Sequence, residues 1–321
     1  MRQFYLCLVA VLLLSSNSWA QSADDTVHVS VAAGKLGGML MLPDNFKKGP
    51  VALIIQGSGP TDKDGNSAML GGKNNSLKMV AESLADLGIA SLRFDKRGMG
   101  MSADAATAEK DLVFDDFISD AMAWLDFLQA DKRFKKFIVI GHSQGSLIGM
   151  RLSVAREVDA FVSLAGPSLS IDATLKEQLR SNPMNPDSIL EQADDIMAKI
   201  KAGETVENIP SYFQSLFRAS IQPFMTSWMK YDPLDEINKL DMPVLVVNGS
   251  TDLQVTIQDA QRLQISNEQS EILIIKGMNH VLKESSANQA ENMATYSNPD
   301  LPLHPEFEDG FISFMKKHIV K

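Results

Sequence analysis

The spacing of apolar positions divides the chain into elements. Val27, Val29 and Val31 alternate with His28 and Ser30, the period of a half-buried strand. A turn at Gly34-Lys35 leads to a second strand over residues 36–42, which Pro43-Asp44 ends, so the chain opens with an antiparallel hairpin. The pattern then changes. Residues 51–55 are continuously apolar, as in a strand buried on both faces. Residues 89–94, 137–140, 160–164, 244–247 and 272–275 also read as strands. Between them lie stretches with helical spacing at 77–87, 114–128, 143–156 and 257–263, and a closing helix at 307–318. Strands alternating with helices predict an α/β fold, a mostly parallel sheet with helices on both faces.

One segment breaks the alternation. Residues 168–242 separate two core strands and carry helical patterns only. Ile189, Ala193, Ile196, Met197 and Ile200 mark one helix. A second is predicted over 212–229, bent at Pro223, with an apolar face wider than packing on one neighbour requires. This is a helical cap insertion, and Phe224 and Trp228 are the candidates to line a substrate pocket beneath it. The core is then residues 21–167 and 243–321.

Residues 1–20 have the form of a secretory signal peptide. Arg2 precedes an apolar run from Phe4 to Leu14, and Ser18-Trp19-Ala20 supplies a small-x-small cleavage site. The run falls short of the ~20 residues of a bilayer span, so no stable membrane anchor is expected, and the mature chain belongs in the periplasm. The 321 residues, 45% apolar and 22% charged, exclude a disordered chain. The net charge of −10 argues against nucleic acid as a partner. The one cysteine, Cys7, leaves with the signal peptide, which excludes structural disulfides and thiolate zinc sites. Nothing in the pattern indicates an oligomeric state.

Gly141-His142-Ser143-Gln144-Gly145 lies between a predicted buried strand and a predicted helix. G-x-S-x-G in that setting is a nucleophile elbow, a sharp turn that exposes the serine at the end of the sheet. Serine needs a base. Of five histidines, His28 lies on the outer face of the hairpin, His318 in a basic surface run and His304 between prolines. His142 should point away from its neighbour Ser143. His280 follows the last strand and reaches the sheet edge that carries the elbow. Asp252, just past the strand at 244–247, can orient it, and the order Ser143, Asp252, His280 fits the triad logic. The expected oxyanion donors are the backbone N–H groups of Gln144 and of Ser58, the latter in the loop Gln56-Gly57-Ser58-Gly59-Pro60.

Two further loops are suggestive only in part. Asp62-Lys63-Asp64-Gly65-Asn66 begins like a calcium loop, but Ser67 and Lys73 stand where that loop needs Gly and Glu. The charges of Arg93, Asp95, Lys96 and Arg97 read as loop scaffolding, since the following glycines fail the dinucleotide spacing. No metal or cofactor is expected.

Together the motifs at Gly57 to Asn66, Arg93 to Ser102, Gly141 to Gly145, Thr251 to Val255 and Asn279-His280 resemble the α/β-hydrolase superfamily over residues 27–321. They are most similar to bacterial secreted esterases related to the serine aminopeptidase-like hydrolases. The resemblance implies serine carboxylesterase activity on esters of short to medium acyl chains, with a small-molecule ester as partner. Gln56 is a departure, because many superfamily members have His before this glycine. Two alternatives remain open: a peptidase or aminopeptidase on the same triad, with Glu191, Asp194 and Asp195 as candidate amine binders, and a non-catalytic binding protein on the same fold.

Overall fold

The computed structural model describes residues 23–67 and 72–320. The predicted signal peptide lies outside the described residues. Eight strands form one sheet in the order β1-β2-β4-β3-β5-β6-β7-β8. They are β1 (Ala23–Val31), β2 (Gly34–Leu42), β3 (Gly49–Ile55), β4 (Ala90–Phe94), β5 (Phe134–His142), β6 (Ala160–Leu164), β7 (Val244–Gly249) and β8 (Glu271–Ile275). β1 pairs antiparallel with β2, and β2 with β4, while every pairing from β4 to β8 is parallel.

The hairpin forms as predicted but turns at Ala32-Ala33, with Gly34 already paired to Val31. Gly34 is there for packing. A Cβ on it would stand 2.2 Å from the carbonyl oxygen of Asp104.

The central strands bury both faces, as their unbroken apolar runs require. Val51, Leu53 and Ile55 face a core closed by α2 (Phe114–Ala130), α3 (Gln144–Ala155) and α9 (Ile257–Ser266). Ala52 and Ile54 face a second core closed by α1 (Ser76–Asp86) and α11 (Pro305–His318). Side chains on a strand alternate between faces, so a single run of five apolar residues serves both cores.

Between β6 and β7 the chain leaves the sheet. It forms α4 (Ile171–Ser181), α5 (Asp187–Lys201), α6 (Gln214–Phe217), α7 (Gln222–Trp228) and α8 (Pro233–Ile237). The helix predicted over 212–229 is in fact four pieces: 3₁₀ turns at Ser211–Phe213 and Ala219–Ile221 alternate with α6 and α7. Pro223 does not bend a continuous helix. It lies in the first turn of α7, where its missing N–H costs no hydrogen bond. The wide apolar face is divided accordingly. Phe213, Phe217, Met225 and Met229 join Ile196, Met197 and Ile200 in a core of the insertion's own. Phe224 and Trp228 lean on Phe114 of α2, Trp228 stacked at 5.3 Å between ring centroids.

Among the described residues no helix is long and apolar enough to cross a membrane. Phe161 is fully buried on β6 at the centre of the first core. Phe161→Ala should lower the unfolding free energy by about 3–5 kcal/mol, read as a lower urea midpoint at unchanged slope.

Candidate active site

β5 runs straight into α3, and Ser143 is the hinge residue between them. Its backbone sits at φ 55° and ψ −123°, a region that non-glycine residues avoid and that costs roughly 1–3 kcal/mol. Two hydrogen bonds hold it there: Ser143 N–H donates to the Leu164 carbonyl at 2.9 Å, and Ser146 N–H donates to the Ser143 carbonyl at 2.9 Å. The turn brings α3 so close to β3 that a Cβ on Gly145 would lie 2.3 Å from the Ile55 carbonyl oxygen. The glycine at that position is therefore a steric requirement.

The loop after β7 carries Asp252, and the loop after β8 carries His280. His280 Nδ1 and Asp252 Oδ2 are 2.8 Å apart, and both side chains are buried. A carboxylate only accepts, so Nδ1 carries a proton, and in the neutral ring Nε2 is the nitrogen left with a lone pair. The other Asp252 oxygen accepts from the N–H groups of Gln254 and Val255 at 2.7 and 3.0 Å. Ser143 and His280 line one cavity of about 170 Å³, together with Gly57, Ser58 and His142. Ser143, Ser58 and Gln144 also line a larger cavity of about 490 Å³ under the insertion, a size typical of small-molecule sites. The N–H of Gln144 is the first of α3 and has no intrahelical acceptor.

Of the two residues expected to line a pocket, Trp228 reaches the larger cavity, beside Leu147, Leu169 and Val255. Phe224 does not. It is packed edge-on against Phe114, Phe117 and Trp228, because the insertion docks on α2 through that side of α7. The carboxylates proposed for an amine also lie elsewhere. Asp194 pairs with Arg180 and Lys176, and Asp195 with Lys199; neither they nor Glu191 lines either cavity. Two other carboxylates line the larger cavity: Glu177, on α4, and Asp259, whose oxygens accept from the Ser168 and Thr256 hydroxyls.

His142 corrects a further expectation. It does not point away from the site. Its ring lies 4.8 Å from that of His280, and its Nε2 donates to the His280 carbonyl at 2.8 Å. Burial, reinforced by the neighbouring His280, lowers its pKa from 6.5 to about 3, so the ring is neutral near pH 7. A second support runs from Asn279, beside His280, to Asn292 and Thr295, which have no recognisable sequence signal. Asn279 donates to Asn292 Oδ1 and to Thr295 Oγ1, while its own Oδ1 accepts from Val281 and Lys283. Asn292 in turn donates to the Thr251 carbonyl at 2.7 Å, which knits the Asp252 loop to the His280 loop. Asn292 and Thr295 belong to the short helix α10 (Gln289–Ala294) and the turn after it, whose sequence is polar and aperiodic.

The loop charges are scaffolding, as expected. Arg93 pairs with Asp24 and Asp64, and Arg97 with Asp116 and Asp120. Asp62 caps the N–H groups of Asp64 and Asn66 at 2.9 Å, so its Oδ1 turns onto its own loop.

The depressed pKa of His142 has a consequence for stability. The unfolded chain binds this proton near pH 6.5 and the folded chain only near pH 3, so the folded state loses ground as the pH falls through that window. His142→Gln should flatten this part of the acid-side slope. Urea midpoints between about pH 4 and 7 measure it, and imidazole NMR should show the wild-type His142 ring uncharged throughout.

Comparison with known proteins agrees with this architecture. Esterase EstD of Thermotoga maritima is 25% identical over 256 residues, covering 78% of this chain; the chain spans 59% of that protein's length. Est1E of Butyrivibrio proteoclasticus, solved with ferulic acid bound, superposes with a TM-score of 0.61 at 18% identity, covering 91% of this chain and 98% of that one. The Pyrococcus furiosus esterase Pf2001 gives 0.58 at 19% identity, with 93% and 92% covered. At these identities the solved structures establish the fold, which is that of the α/β-hydrolases. Residues 70–285 match the family model described as serine aminopeptidase, S33, and the chain belongs to that family.

Proposed function

We propose that the chain is a serine hydrolase that cleaves carboxylic esters through an acyl-enzyme. The observation that carries this reading is the strained Ser143 opening onto the same cavity as His280, whose Nδ1 is held by Asp252 at 2.8 Å. Ser143 Oγ attacks the ester carbonyl while His280 Nε2 takes its proton. The carbonyl oxygen becomes an oxyanion facing the N–H groups of Ser58 and Gln144. The intermediate collapses, the C–O bond to the alcohol breaks, and His280 returns the proton to the departing alkoxide. Water then repeats the sequence on the acyl-enzyme and releases the acid. Asp252 keeps the proton on Nδ1 and stabilises the imidazolium formed twice in each turnover. The esterase relatives support the ester as substrate.

Leu147, Leu169, Val255 and Trp228 make an apolar wall suited to an acyl chain of short to medium length. A second reading is aminoacyl hydrolysis, favoured by Glu177 at the rim of the same cavity and by the family description. The pattern of residues 1–20 supports export to the periplasm.

Ser143→Ala should reduce turnover of p-nitrophenyl butyrate by roughly 10⁴-fold or more, and Asp252→Asn by a comparable factor, because the three groups act as a unit. A fluorophosphonate should label Ser143 alone in wild-type protein; labelling at another serine refutes the assignment. Aminoacyl p-nitroanilides run beside the esters separate the two readings.

Each acyl methylene buried against the wall contributes about 0.8 kcal/mol, close to fourfold in binding. So kcat/KM should climb from acetyl toward butyryl or longer esters and then fall. Trp228→Ala should move that optimum. Phe224→Ala should lower the melting temperature and leave the optimum in place, since its ring packs outside both cavities. A shifted optimum in the Phe224 variant, or a fixed one in the Trp228 variant, overturns this account of the pocket.

A further inference from the structure

The N–H of Ser58 belongs to the same peptide group as the carbonyl of Gly57. A trans peptide holds its C=O and N–H pointing in opposite directions, so fixing one aims the other. The carbonyl of Gly57 is taken by Nζ of Lys96, which also donates to the Gly59 carbonyl at 3.1 Å. Lys96 follows β4, is 7% exposed and lies beneath the loop with its amine 5.4 Å from the Phe117 ring centroid. The other side of the loop faces Ser143: a Cβ on Gly57 would stand 3.1 Å from the Ser143 Cβ, and Ser58 lines both cavities. The Gly57–Gly59 loop is thus clamped between a buried amine and the serine.

A buried amine needs a reason. Among the described residues Lys96 has no carboxylate partner, and nearby Asp120 is committed to Arg97 through both its oxygens. An apolar side chain would fill this space without the cost of desolvating an ammonium group. The polar contacts of Lys96 are instead spent on the loop. Gln56 adds a second tie, its Nε2 donating to the Phe94 carbonyl at 2.9 Å.

We propose that Lys96 is a positioning residue for the oxyanion site: by drawing the Gly57 and Gly59 carbonyls inward it aims the Ser58 N–H over Ser143 and strengthens it as a donor. The inference rests on the serine-hydrolase reading above. A hydrogen bond accepted at a peptide carbonyl polarises the whole group and makes its N–H a better donor, more so when the partner is charged. Burial pushes the Lys96 amine down to about 7. Both its protonated and neutral forms keep at least two N–H donors, so the two carbonyls stay held on either side of that value.

The test compares Lys96→Met, which keeps most of the volume and removes the donors, with Lys96→Gln, which keeps an amide donor. Three quantities are read: kcat and KM on p-nitrophenyl butyrate, the affinity of a trifluoromethyl ketone that forms a tetrahedral adduct on Ser143, and the melting temperature. A misdirected oxyanion donor should cost Lys96→Met about 10- to 100-fold in kcat, somewhat less than outright removal of a donor, with KM changed by less than about threefold. Ketone affinity should fall in parallel with kcat/KM, and Lys96→Gln should recover part of both losses. A melting temperature that drops while kcat and ketone affinity stay at wild-type values overturns the proposal. The wild-type protein supplies a reading that needs no variant to fold: the Ser58 amide proton should move downfield when the ketone adduct forms, and an unmoved resonance also overturns it. Failure of the ketone and of a fluorophosphonate to react with Ser143 in wild-type protein would defeat the hydrolase reading itself. Reaction there, with wild-type kinetics in both Lys96 variants, defeats only the role of Lys96.

Discussion

A strand that must become a helix within one residue is the constraint on which the site depends. Ser143 holds φ 55° because β5 is anchored between β3 and β6 while α3 packs back across the sheet. The strain is held by hydrogen bonds to Leu164 and from Ser146 and by the tight approach of Gly145 to Ile55. Those features are all part of the sheet and its first covering helix, so the serine is held by the core itself. Asp252 and His280 stand on the loops after β7 and β8, and His280 lines the same cavity as Ser143. In a parallel sheet these loops converge because every strand runs the same way.

Rigidity in those loops comes from polar groups facing inward. The Asn279–Asn292–Thr251 chain ties the loop of His280 to that of Asp252. His142, held neutral by burial, anchors the His280 backbone. Arg93 ties the loop of Asp64 to Asp24 on β1, Arg97 ties its own loop to Asp116 and Asp120 on α2, and Lys96 holds the carbonyls of Gly57 and Gly59. Buried charges contribute little net stability, since desolvation offsets attraction. Their effect is to leave each loop a single well-bonded arrangement, which a site with three converging parts requires.

The insertion has a core of its own, and it docks through α8 on α3, where Glu236 pairs with Arg151, and through α7 on α2. Trp228 stacks on Phe114, and Asp115 of α2 accepts from Ser227 and Tyr231. The side of the larger cavity formed by α4 and Trp228 of α7 is therefore set by how this helical unit fits on α2 and α3. Small changes at that seam alter the cavity without touching Ser143, Asp252 or His280.

The parallel strands were legible because burial on both faces demands unbroken apolar runs, and residues 51–55 and 160–164 carry little else. Ser143, Asp252 and His280 were legible because each sits just past such a run, so a one-dimensional pattern already assigned all three to one edge. The segment 211–229 was not, since short α and 3₁₀ turns keep nearly the same apolar spacing as one helix and differ only in where hydrogen bonds break. Phe224 and Trp228 are both apolar, four residues apart on one helix face, and local pattern gives them the same role. Phe117, more than 100 residues away in the chain, separates them: its ring packs on that of Phe224, while Trp228 reaches the cavity. His142 and Lys96 make the same point for polar groups. The sequence by itself determined the order of the strands' burial and the residues at their ends; where each charged or aromatic side chain points was decided by partners distant in sequence, which only the packed sheet and its insertion bring within hydrogen-bonding or van der Waals reach.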